Sequence, residues 1–307
     1  MKLIILAAGK GSRLMPLTRN TPKMLIDLGN GMTLLETQLR NIEDSGVIDE
    51  VVIITGYCSE QVEAKLKNYH GHLKIKTVHN PLYEVSNNLI TLWIAKHEMN
   101  GDFLITNGDN IFSPDVFEGL VKNYSKKGIY LTTRKKEKYY SDDMKIILGE
   151  EGIERVSKSI NNEDANAESV GLVLISGEKN INLFRDSMEE LVRDTAYTNK
   201  FWLEIFNRMS EKGIPIRFYE ISGENKWFEV DFHGDMAQLL KLHREYKIEG
   251  FENSTGVKEV SNPDFQNNVQ STSNTIINST NSSAFNSPLL KGLRILQDKN
   301  KFEDTKI

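Results

Sequence analysis

The sequence LAAGKGSRLMPLT occupies residues 6–18 and follows directly on the short apolar run Lys2–Leu6. An apolar run of this length that ends near a glycine is typical of a buried parallel strand. Gly9 and Gly11 stand in the loop after that strand. Glycines in such a loop allow backbone N–H groups to approach phosphate oxygens. The stretch therefore predicts a strand that opens into a phosphate-binding loop.

Two common phosphate-binding motifs do not fit this loop. A dinucleotide-binding GxGxxG would need a glycine at position 14, which is Leu14, and a P-loop GxxxxGK[ST] is absent here. A strand followed by GxG is also compatible with an ordinary tight turn. Arg13 and Lys23 add two cations to the same stretch, which favours an anionic ligand such as a nucleoside triphosphate. Pro16, Thr18 and Pro22 complete the pattern.

Predicted strands and helices alternate as far as residue 133, which indicates βαβ units and a parallel sheet. The predicted strands are Lys2–Leu6, Val51–Thr55, Leu73–Val78 and Asp102–Thr106, and the predicted helices are Leu34–Ile42, Ser59–Tyr69 and Asn88–Glu98. The pattern changes after Arg134. We expect a hairpin (Lys145–Leu148, Ile153–Val156), strands (Ser169–Ile175, Ile216–Ile221, Lys226–Val230) and helices (Asn180–Arg193, Asn199–Lys212, Gly234–Lys247).

Composition divides the 307 residues into three segments. Residues 1–252 form the predicted globular domain. Residues 253–287 are rich in Asn, Ser and Thr, and such a segment buries too little apolar surface to offset its ordering entropy, so we expect a disordered linker. Residues 288–307 form a tail in which Leu289, Leu290, Leu293, Ile295 and Leu296 are compatible with a short helix.

Charge and cysteine content restrict the partners and the compartment. The net charge of −5 gives no basic excess for a nucleic acid. Cys58 is the single cysteine, which excludes an internal disulfide and a cysteine-based zinc site. The sequence has no run of about 18 apolar residues, so no membrane span is predicted. We therefore expect a cytoplasmic protein, and a homo-oligomer is compatible with the sequence.

The motif LAAGxGSRLxPLT followed by Pro22-Lys23 closely resembles the signature of the nucleotidyltransferase superfamily, which includes sugar-1-phosphate nucleotidyltransferases and bacterial phosphocholine and aminoethylphosphonate cytidylyltransferases. The resemblance extends to about residue 247. It implies an α/β fold, a mainly parallel Rossmann-like three-layer sandwich, and Mg²⁺-dependent transfer of a nucleotidyl group from an NTP. Arg13 and Lys23 would be catalytic. The residues expected to contact the nucleotide are Leu6, Ala8, Gly9, Gly11, Arg13, Lys23, Asn87, Asn88 and Asp109.

Three carboxylates are candidates for the magnesium site. Mg²⁺ takes one or two carboxylates together with phosphate oxygens and water, and ligands of open α/β sheets bind at the carboxyl ends of the strands. Asp109 follows the predicted strand Asp102–Thr106, and Glu229 and Asp231 follow Trp227. Residues two apart on an extended strand point to the same side. The alternatives are a turn cap for Asp109 and solvated strand-end charges for the other two.

The base and acceptor contacts are predicted mainly from the resemblance. Asn87-Asn88 before a helix resembles the cytidylyltransferase branch, although asparagine is also a common helix cap, and we assign the cap to Ser86. The acceptor residues are predicted to be Lys158, Glu168, Gly171, Trp202 and Trp227. Glu168 and the two tryptophans could hold an ammonium group, while core positions are the alternative for the tryptophans. These residues favour CTP and a phosphorylated or phosphonylated amino alcohol.

Three other functions stay compatible with the sequence. A sugar-1-phosphate nucleotidyltransferase that uses UTP, dTTP or GTP would share the loop and the carboxylates. A non-catalytic regulatory member of the same fold would bind nucleotide without turnover, although Arg13, Lys23 and Asp109 are all present. A domain of a longer membrane-associated synthase, tethered through the Asn/Ser-rich tail, is the third.

Overall fold

The computed structural model describes residues 1–29, 31–122, 127–223, 226–232 and 234–235. These residues lie in the first of two compact units, Met1–Met236. The predicted helix over residues 234–247 falls outside the described residues beyond Asp235, as do the predicted linker at 253–287 and the tail at 288–307.

The described part of the chain contains strands and helices in alternation. The strands are β1 (Lys2–Ala7), β2 (Glu50–Thr55), β3 (Lys74–His79), β4 (Phe103–Asn107), β5 (Asn110–Phe112), β6 (Ile129–Arg134), β7 (Lys145–Gly149), β8 (Gly152–Ser157), β9 (Ala167–Ile175), β10 (Arg217–Glu220) and β11 (Trp227–Glu229). The α-helices are α1 (Leu34–Asp44), α2 (Ser59–Leu66), α3 (Asn88–Ile94), α4 (Pro114–Lys122), α5 (Glu178–Val192) and α6 (Glu204–Glu211).

The central sheet has the strand order β10-β6-β9-β4-β1-β2-β3. The pairs β4-β1, β1-β2, β2-β3 and β10-β6 are parallel, whereas β9 runs antiparallel to both β4 and β6. The hairpin β7-β8 is attached to β9 through β7. The prediction of a mainly parallel α/β sheet is confirmed.

Alternate side chains of β1 enter two separate hydrophobic cores, because successive strand residues face opposite sides of the sheet. Ile4 and Leu6 pack with residues of α3, α5 and α6. Leu3 and Ile5 pack with residues of α1, α2 and α4. Helices therefore cover both faces of the sheet, as expected for a three-layer sandwich. Within the described residues, no helix combines the length and the apolar character that a bilayer crossing requires.

The structure differs from the sequence-based elements mainly where elements are short. Helix α6 begins at Glu204 rather than at Asn199, because a short 3₁₀ helix (Thr195–Tyr197) and a turn come first. Strand β5 and helix α4 were not predicted. β5 has only three residues, too few for a periodic pattern, yet it pairs antiparallel with β11 in a separate two-stranded sheet. That small sheet positions the candidate site.

Candidate active site

The candidate site lies at the carboxyl ends of the neighbouring parallel strands β1 and β4. Gly108 donates its backbone N–H to the Leu6 carbonyl (2.8 Å), which brings the end of β4 against the end of β1. A Cβ at Gly108 would lie 2.7 Å from the Cβ of Ala7, so a side chain at this position would push the two strand ends apart. Val230 donates to the backbone carbonyl of Asp109 (2.9 Å), which brings the β11 segment to the same edge.

A lysine ammonium bridges two of the predicted metal carboxylates. Lys23 Nζ lies 2.8 Å from Asp109 Oδ2 and 3.1 Å from Asp231 Oδ1. Arg13 forms a second ion pair with Asp231. Burial by itself lowers the pKa of Lys23, but the charges of Asp109 and Asp231 outweigh it and raise that pKa above its ordinary value. Ion pairs thus connect loop 6–23 to the segments that carry Asp109 and Asp231.

The two acidic side chains of the β11 segment have opposite pKa shifts. Burial opposes ionisation of Asp231, but Lys23 and Arg13 outweigh it and lower the pKa of this carboxyl. Desolvation in the cleft, together with the negative charges of Asp109 and Asp231, raises the pKa of Glu229 to about 8. By its accessible surface, Glu229 as a whole residue is nevertheless exposed. Ionisation of Glu229 would give the cleft more negative charge than Lys23 and Arg13 neutralise, so an additional cation would favour the ionised form of this carboxyl.

The donor set suits magnesium held partly by a nucleotide rather than by the protein alone. Within the described residues, no three His, Cys, Asp or Glu side chains are placed to hold a metal ion by themselves. Asp109 Oδ1, however, is a buried oxygen without a hydrogen-bond partner among the described residues. Mg²⁺ commonly takes one or two carboxylates and completes its shell with phosphate oxygens and water. Asp109 and Asp231 fit that pattern.

The two loop glycines have different surroundings. Gly11 has a φ of 61°, and a Cβ there would lie 3.1 Å from Thr18 Cγ2 and 3.2 Å from Lys23 Cβ. Thr18 also donates its hydroxyl to the Gly11 carbonyl (2.8 Å), which holds the loop closed. Around Gly9, in contrast, no atom of the described residues other than those of Gly9 and its two chain neighbours lies within 4 Å of an added Cβ. Gly11 is therefore required by the close approach to Lys23, while Gly9 borders open space.

Leu6 and Ala8 shape the loop through their backbone carbonyls. The Leu6 carbonyl accepts from Gly108, and the Ala8 carbonyl accepts from Tyr57 (3.0 Å). Gly56, which the sequence did not single out, lets this contact form, since a Cβ there would lie 2.6 Å from the Ala8 oxygen. Both residues are buried. Their contact with a nucleotide stays a prediction.

The two asparagines before α3 use their side-chain oxygens within the protein. Asn87 is the N-cap residue, and its Oδ1 accepts from the backbone N–H of Asn88 (2.8 Å). The assignment of the cap to Ser86 was wrong, because the Ser86 hydroxyl donates to the Leu82 carbonyl instead. Asn88 Oδ1 accepts from the backbone N–H of Trp202 (2.8 Å). The predicted contacts of Asn87 and Asn88 with a nucleobase therefore depend on the amide nitrogens of these side chains.

Two predicted acceptor residues have surroundings that argue against a direct contact with a cation. Trp202 is 1% exposed and packs in the core against Phe206, so its ring offers no face to a ligand. Glu168 is 3% exposed and pairs with Arg134 (2.6 Å) and Lys136 (2.7 Å). Its charge is already neutralised, so it is not available to hold an ammonium group. These two expectations are corrected by the structure.

The other predicted acceptor residues lie closer to the cleft. Lys158 pairs with Asp142 (2.9 Å), and its positive charge acts on Glu229. Trp227 is partly buried, and the Arg134 guanidinium lies 4.7 Å from the centre of its ring. Gly171 has a φ of 73° in the middle of β9. The roles of these three residues in binding an acceptor stay predictions.

Several residues of this region were not singled out from the sequence. Arg134 ends β6 and Lys136 follows it, in a charged stretch that carries no motif. Asn107 and Asn110 flank Asp109 in the chain, whereas their partners Trp202 and Trp227, and likewise Gln38, reach this segment through tertiary contacts. The pairing of polar side chains with tryptophan indoles leaves no periodic signal, so a sequence pattern does not identify it.

Comparison with known proteins agrees with this geometry. The family model described as "Nucleotidyl transferase" matches residues 2–140. The choline-phosphate cytidylyltransferase of Streptococcus pneumoniae is 34% identical over 148 residues, which cover 48% of this chain and 62% of the relative. The CTP:phosphoglutamine cytidylyltransferase of Campylobacter jejuni is 26% identical over 277 residues, which cover 78% of this chain and all of the relative. The chain thus spans less than two thirds of the first of these relatives.

The fold is also that of a solved structure. The chain is similar to the CTP:phosphocholine cytidylyltransferase of Streptococcus pneumoniae with a TM-score of 0.60 and 23% identity. The similarity covers 78% of this chain and 98% of that structure. At this level of identity the likeness concerns the fold.

Proposed function

We propose that this chain, whose residues 2–140 match the nucleotidyl transferase family model, transfers a cytidylyl group from CTP to a small phosphorylated or phosphonylated amino compound and releases pyrophosphate. The observation that carries the proposal is the position of Lys23 between Asp109 and Asp231, beside the Gly9–Gly11 loop. In that arrangement, cations that would bind the phosphates lie next to carboxylates that would bind a metal ion. CTP as the donor is supported by the relatives, whose names specify cytidylyl transfer.

The reaction would proceed by attack of an acceptor oxygen on the α-phosphorus of the NTP. The new bond joins the acceptor oxygen to the α-phosphorus, and the bond from the α-phosphorus to the bridging oxygen of the β-phosphate breaks. Both reactants are anions, so positioning and charge neutralisation supply most of the acceleration. Lys23 would neutralise charge at the α-phosphate, and Arg13 would stabilise the departing pyrophosphate. Both cations are already fixed by their pairs with Asp231.

Magnesium is part of the proposal. When bound, the ion would neutralise phosphate charge and orient the triphosphate, and Asp109, Asp231 and Glu229 are the residues that would hold it. The buried, unpartnered Asp109 Oδ1 supports this assignment. The raised pKa of Glu229 supports it as well, because a carboxyl close to two others is favoured in its ionised form by an added cation.

The proposed acceptor class is supported more by the names of the relatives than by the residues of the cleft. An aromatic and acidic cage of Glu168, Trp202 and Trp227 does not form, because Glu168 is ion-paired and Trp202 is in the core. The named acceptors of the two relatives, choline phosphate and phosphoglutamine, are both phosphorylated amino compounds. Lys158, close to Glu229, would contact the acceptor phosphate.

Pyrophosphate release tests the donor, the acceptor and the metal together. The purified protein is incubated with ATP, CTP, GTP, UTP or dTTP against phosphocholine, phosphoethanolamine, 2-aminoethylphosphonate, phosphoglutamine and glucose 1-phosphate, with Mg²⁺ or with EDTA. We expect turnover with CTP and an amino compound, and its loss in EDTA. Turnover of glucose 1-phosphate with UTP or dTTP alone would replace the cytidylyl assignment by the sugar-nucleotide alternative. No release with any pair would contradict enzymatic nucleotidyl transfer to these acceptors.

A pair of lysine variants tests the assignment of the site. Lys23→Met removes the cation between the two carboxylates and is expected to reduce turnover strongly. Lys122→Met removes an exposed lysine that pairs with Glu118 on the surface of α4, so turnover should stay at the level of the unmodified protein. Equal activity of the two variants would remove Lys23 from the mechanism.

A further inference from the structure

Two asparagines flank Asp109, and each accepts a hydrogen bond from a tryptophan indole. Trp202 Nε1 donates to Asn107 Oδ1 (3.0 Å). Trp227 Nε1 donates to Asn110 Oδ1 (3.0 Å). The two indoles come from different parts of the chain, since Trp202 immediately precedes α6 and Trp227 begins β11. The segment that carries Asp109 is therefore held at both of its ends.

A glycine of β9 lies on the other side of the two asparagine amide groups. An indole N–H is a donor only, so each amide must present its oxygen to the tryptophan and its nitrogen away from it. Both amide nitrogens lie close to Gly171, where an added Cβ would be 2.7 Å from Asn110 Nδ2 and 3.1 Å from Asn107 Nδ2. Gly171 thus leaves room for both side chains, and a residue with a side chain would displace them.

The backbone of the same segment is fixed by a buried glutamine. Gln38 Nε2 donates to the carbonyls of Gly108 (3.1 Å) and Asn110 (2.8 Å). The carboxylate of Asp109 has weaker support, because Lys23 holds Oδ2 while Oδ1 has no hydrogen-bond partner among the described residues. The direction of that carboxylate consequently depends on how firmly its backbone is held.

We propose that Trp202 and Trp227 are positioning residues that fix the Asp109 carboxylate through Asn107 and Asn110. The inference rests on the proposed function and adds to it a role for two residues that do not contact the reacting atoms. Trp202 also donates its backbone N–H to Asn88 Oδ1 (2.8 Å). The same residue therefore joins the start of α3, the predicted base-contact segment, to the metal carboxylate.

Tryptophan-to-phenylalanine variants isolate the indole hydrogen bond, because phenylalanine keeps an aromatic ring and lacks the N–H. The third tryptophan of the chain provides a matched control. Trp93 Nε1 donates to Glu189 Oε1 (3.0 Å), which connects α3 to α5 rather than to the Asp109 segment. Loss of an outer hydrogen bond that orients a metal ligand costs about 10–100-fold in activity or metal affinity. We expect Trp202→Phe and Trp227→Phe to lower kcat by about tenfold or more, with KM for the acceptor nearly unchanged, and Trp93→Phe to change neither.

A spectroscopic measurement tests the same contacts without turnover. The three tryptophans give three indole N–H signals in an ¹H–¹⁵N spectrum, which the three phenylalanine variants assign. We expect Asp109→Asn, and separately the addition of Mg²⁺ and CTP to the unmodified protein, to shift the signals of Trp202 and Trp227 and to leave that of Trp93 in place.

The outcomes separate this inference from the proposed function. Absence of nucleotidyl transfer by the unmodified protein would contradict the function, while the response of the indole signals to Asp109→Asn would still decide the positioning role. A raised acceptor KM with unchanged kcat in Trp227→Phe would make that residue a direct acceptor contact and overturn its positioning role. Equal kcat in all three phenylalanine variants would overturn the inference for both tryptophans. If Trp202→Phe fails to fold, the kinetics of Trp227→Phe and the indole signal of Trp227, a partly buried residue, still test the inference.

Discussion

Asp109→Asn is expected to separate activity from stability. Asparagine keeps the shape of the side chain and can still accept a hydrogen bond from Lys23, which lies 2.8 Å from Asp109 Oδ2. The change removes one negative charge from the place where a metal-bound triphosphate would be held. Removal of one group that stabilises charge in a transition state typically costs about 10²–10³ in kcat, or about 3–4 kcal/mol. We expect a loss of that size.

The stability of the same variant should change little. Asp109 and Asp231 both repel Glu229 and contribute to its raised pKa of about 8. Loss of the Asp109 charge relieves part of this repulsion, while Lys23 stays paired with Asp231. The weaker bond to Lys23 and the smaller repulsion oppose each other, so we expect the free energy of unfolding to change by less than about 1 kcal/mol.

The assay compares pyrophosphate release at saturating CTP, acceptor and Mg²⁺ with urea unfolding of the same preparations. Asp102→Asn is the matched control, because Asp102 lies before the opposite end of β4 and pairs with Lys127. Asp102 Oδ1 also accepts from Gly177 (2.8 Å). The control should lose some stability and keep its turnover. Turnover of Asp109→Asn within about threefold of the unmodified protein would refute the charge argument, since a loss of about 10² is the smallest that this argument predicts.

Three further changes have defined outcomes. Gly11→Ala places a Cβ at a positive φ against the loop and should lower the free energy of unfolding by about 1–2 kcal/mol. Gly9→Ala should leave the melting temperature unchanged and raise KM for the NTP. Thermal melts and steady-state kinetics of both variants check this difference. Glu168→Gln removes the buried partner of two cations and should lower the free energy of unfolding in urea by about 3 kcal/mol. Glu118→Gln, at an exposed ion pair, should lower it by less than about 0.5 kcal/mol. Equal losses would contradict the buried pairing. A chain ending at Glu252 should keep its melting temperature and rates, and loss of either would assign a role to the tail.

The fold was predictable where apolar periodicity is long. β1, β2 and β4 are continuous apolar runs that end at the phosphate loop, at Gly56 and at the Asp109 segment, and their burial on both faces is what such runs indicate. The short strand β5 was not predictable, because three residues carry no period. Its pairing with β11 arises from tertiary contacts with a segment more than 100 residues away in the chain.

The candidate site was predictable where a residue's role follows from its own chemistry and position. Asp109 and Asp231, which follow the ends of β4 and β11, are brought together around Lys23 of the loop after β1. Glu168 and Trp202 were assigned to the acceptor pocket because the sequence does not reveal which residue pairs with a buried charge or accepts the hydrogen bond of an indole. Glu168 is compensated by Arg134 and Lys136, and Trp202 by Asn107. Such pairings depend on which strands become neighbours.

Lys23 holds together the two kinds of group that would bind the substrate and the metal. Its ammonium, the proposed phosphate ligand, contacts Asp109 and Asp231, which are the proposed metal ligands. A metal ion that arrives alone would meet the positive charge of Lys23 between Asp109 and Asp231. A triphosphate that arrives alone would draw Lys23 away and leave the partly buried Asp109 carboxylate without its cation and Asp231 with Arg13 alone, which is costly. A bound metal ion replaces the positive charge that the carboxylates lose when the triphosphate attracts Lys23, and a bound triphosphate replaces the negative charge that Lys23 loses to the metal ion. The affinity for each ligand should therefore rise when the other is present. By thermodynamic linkage the two effects must be equal.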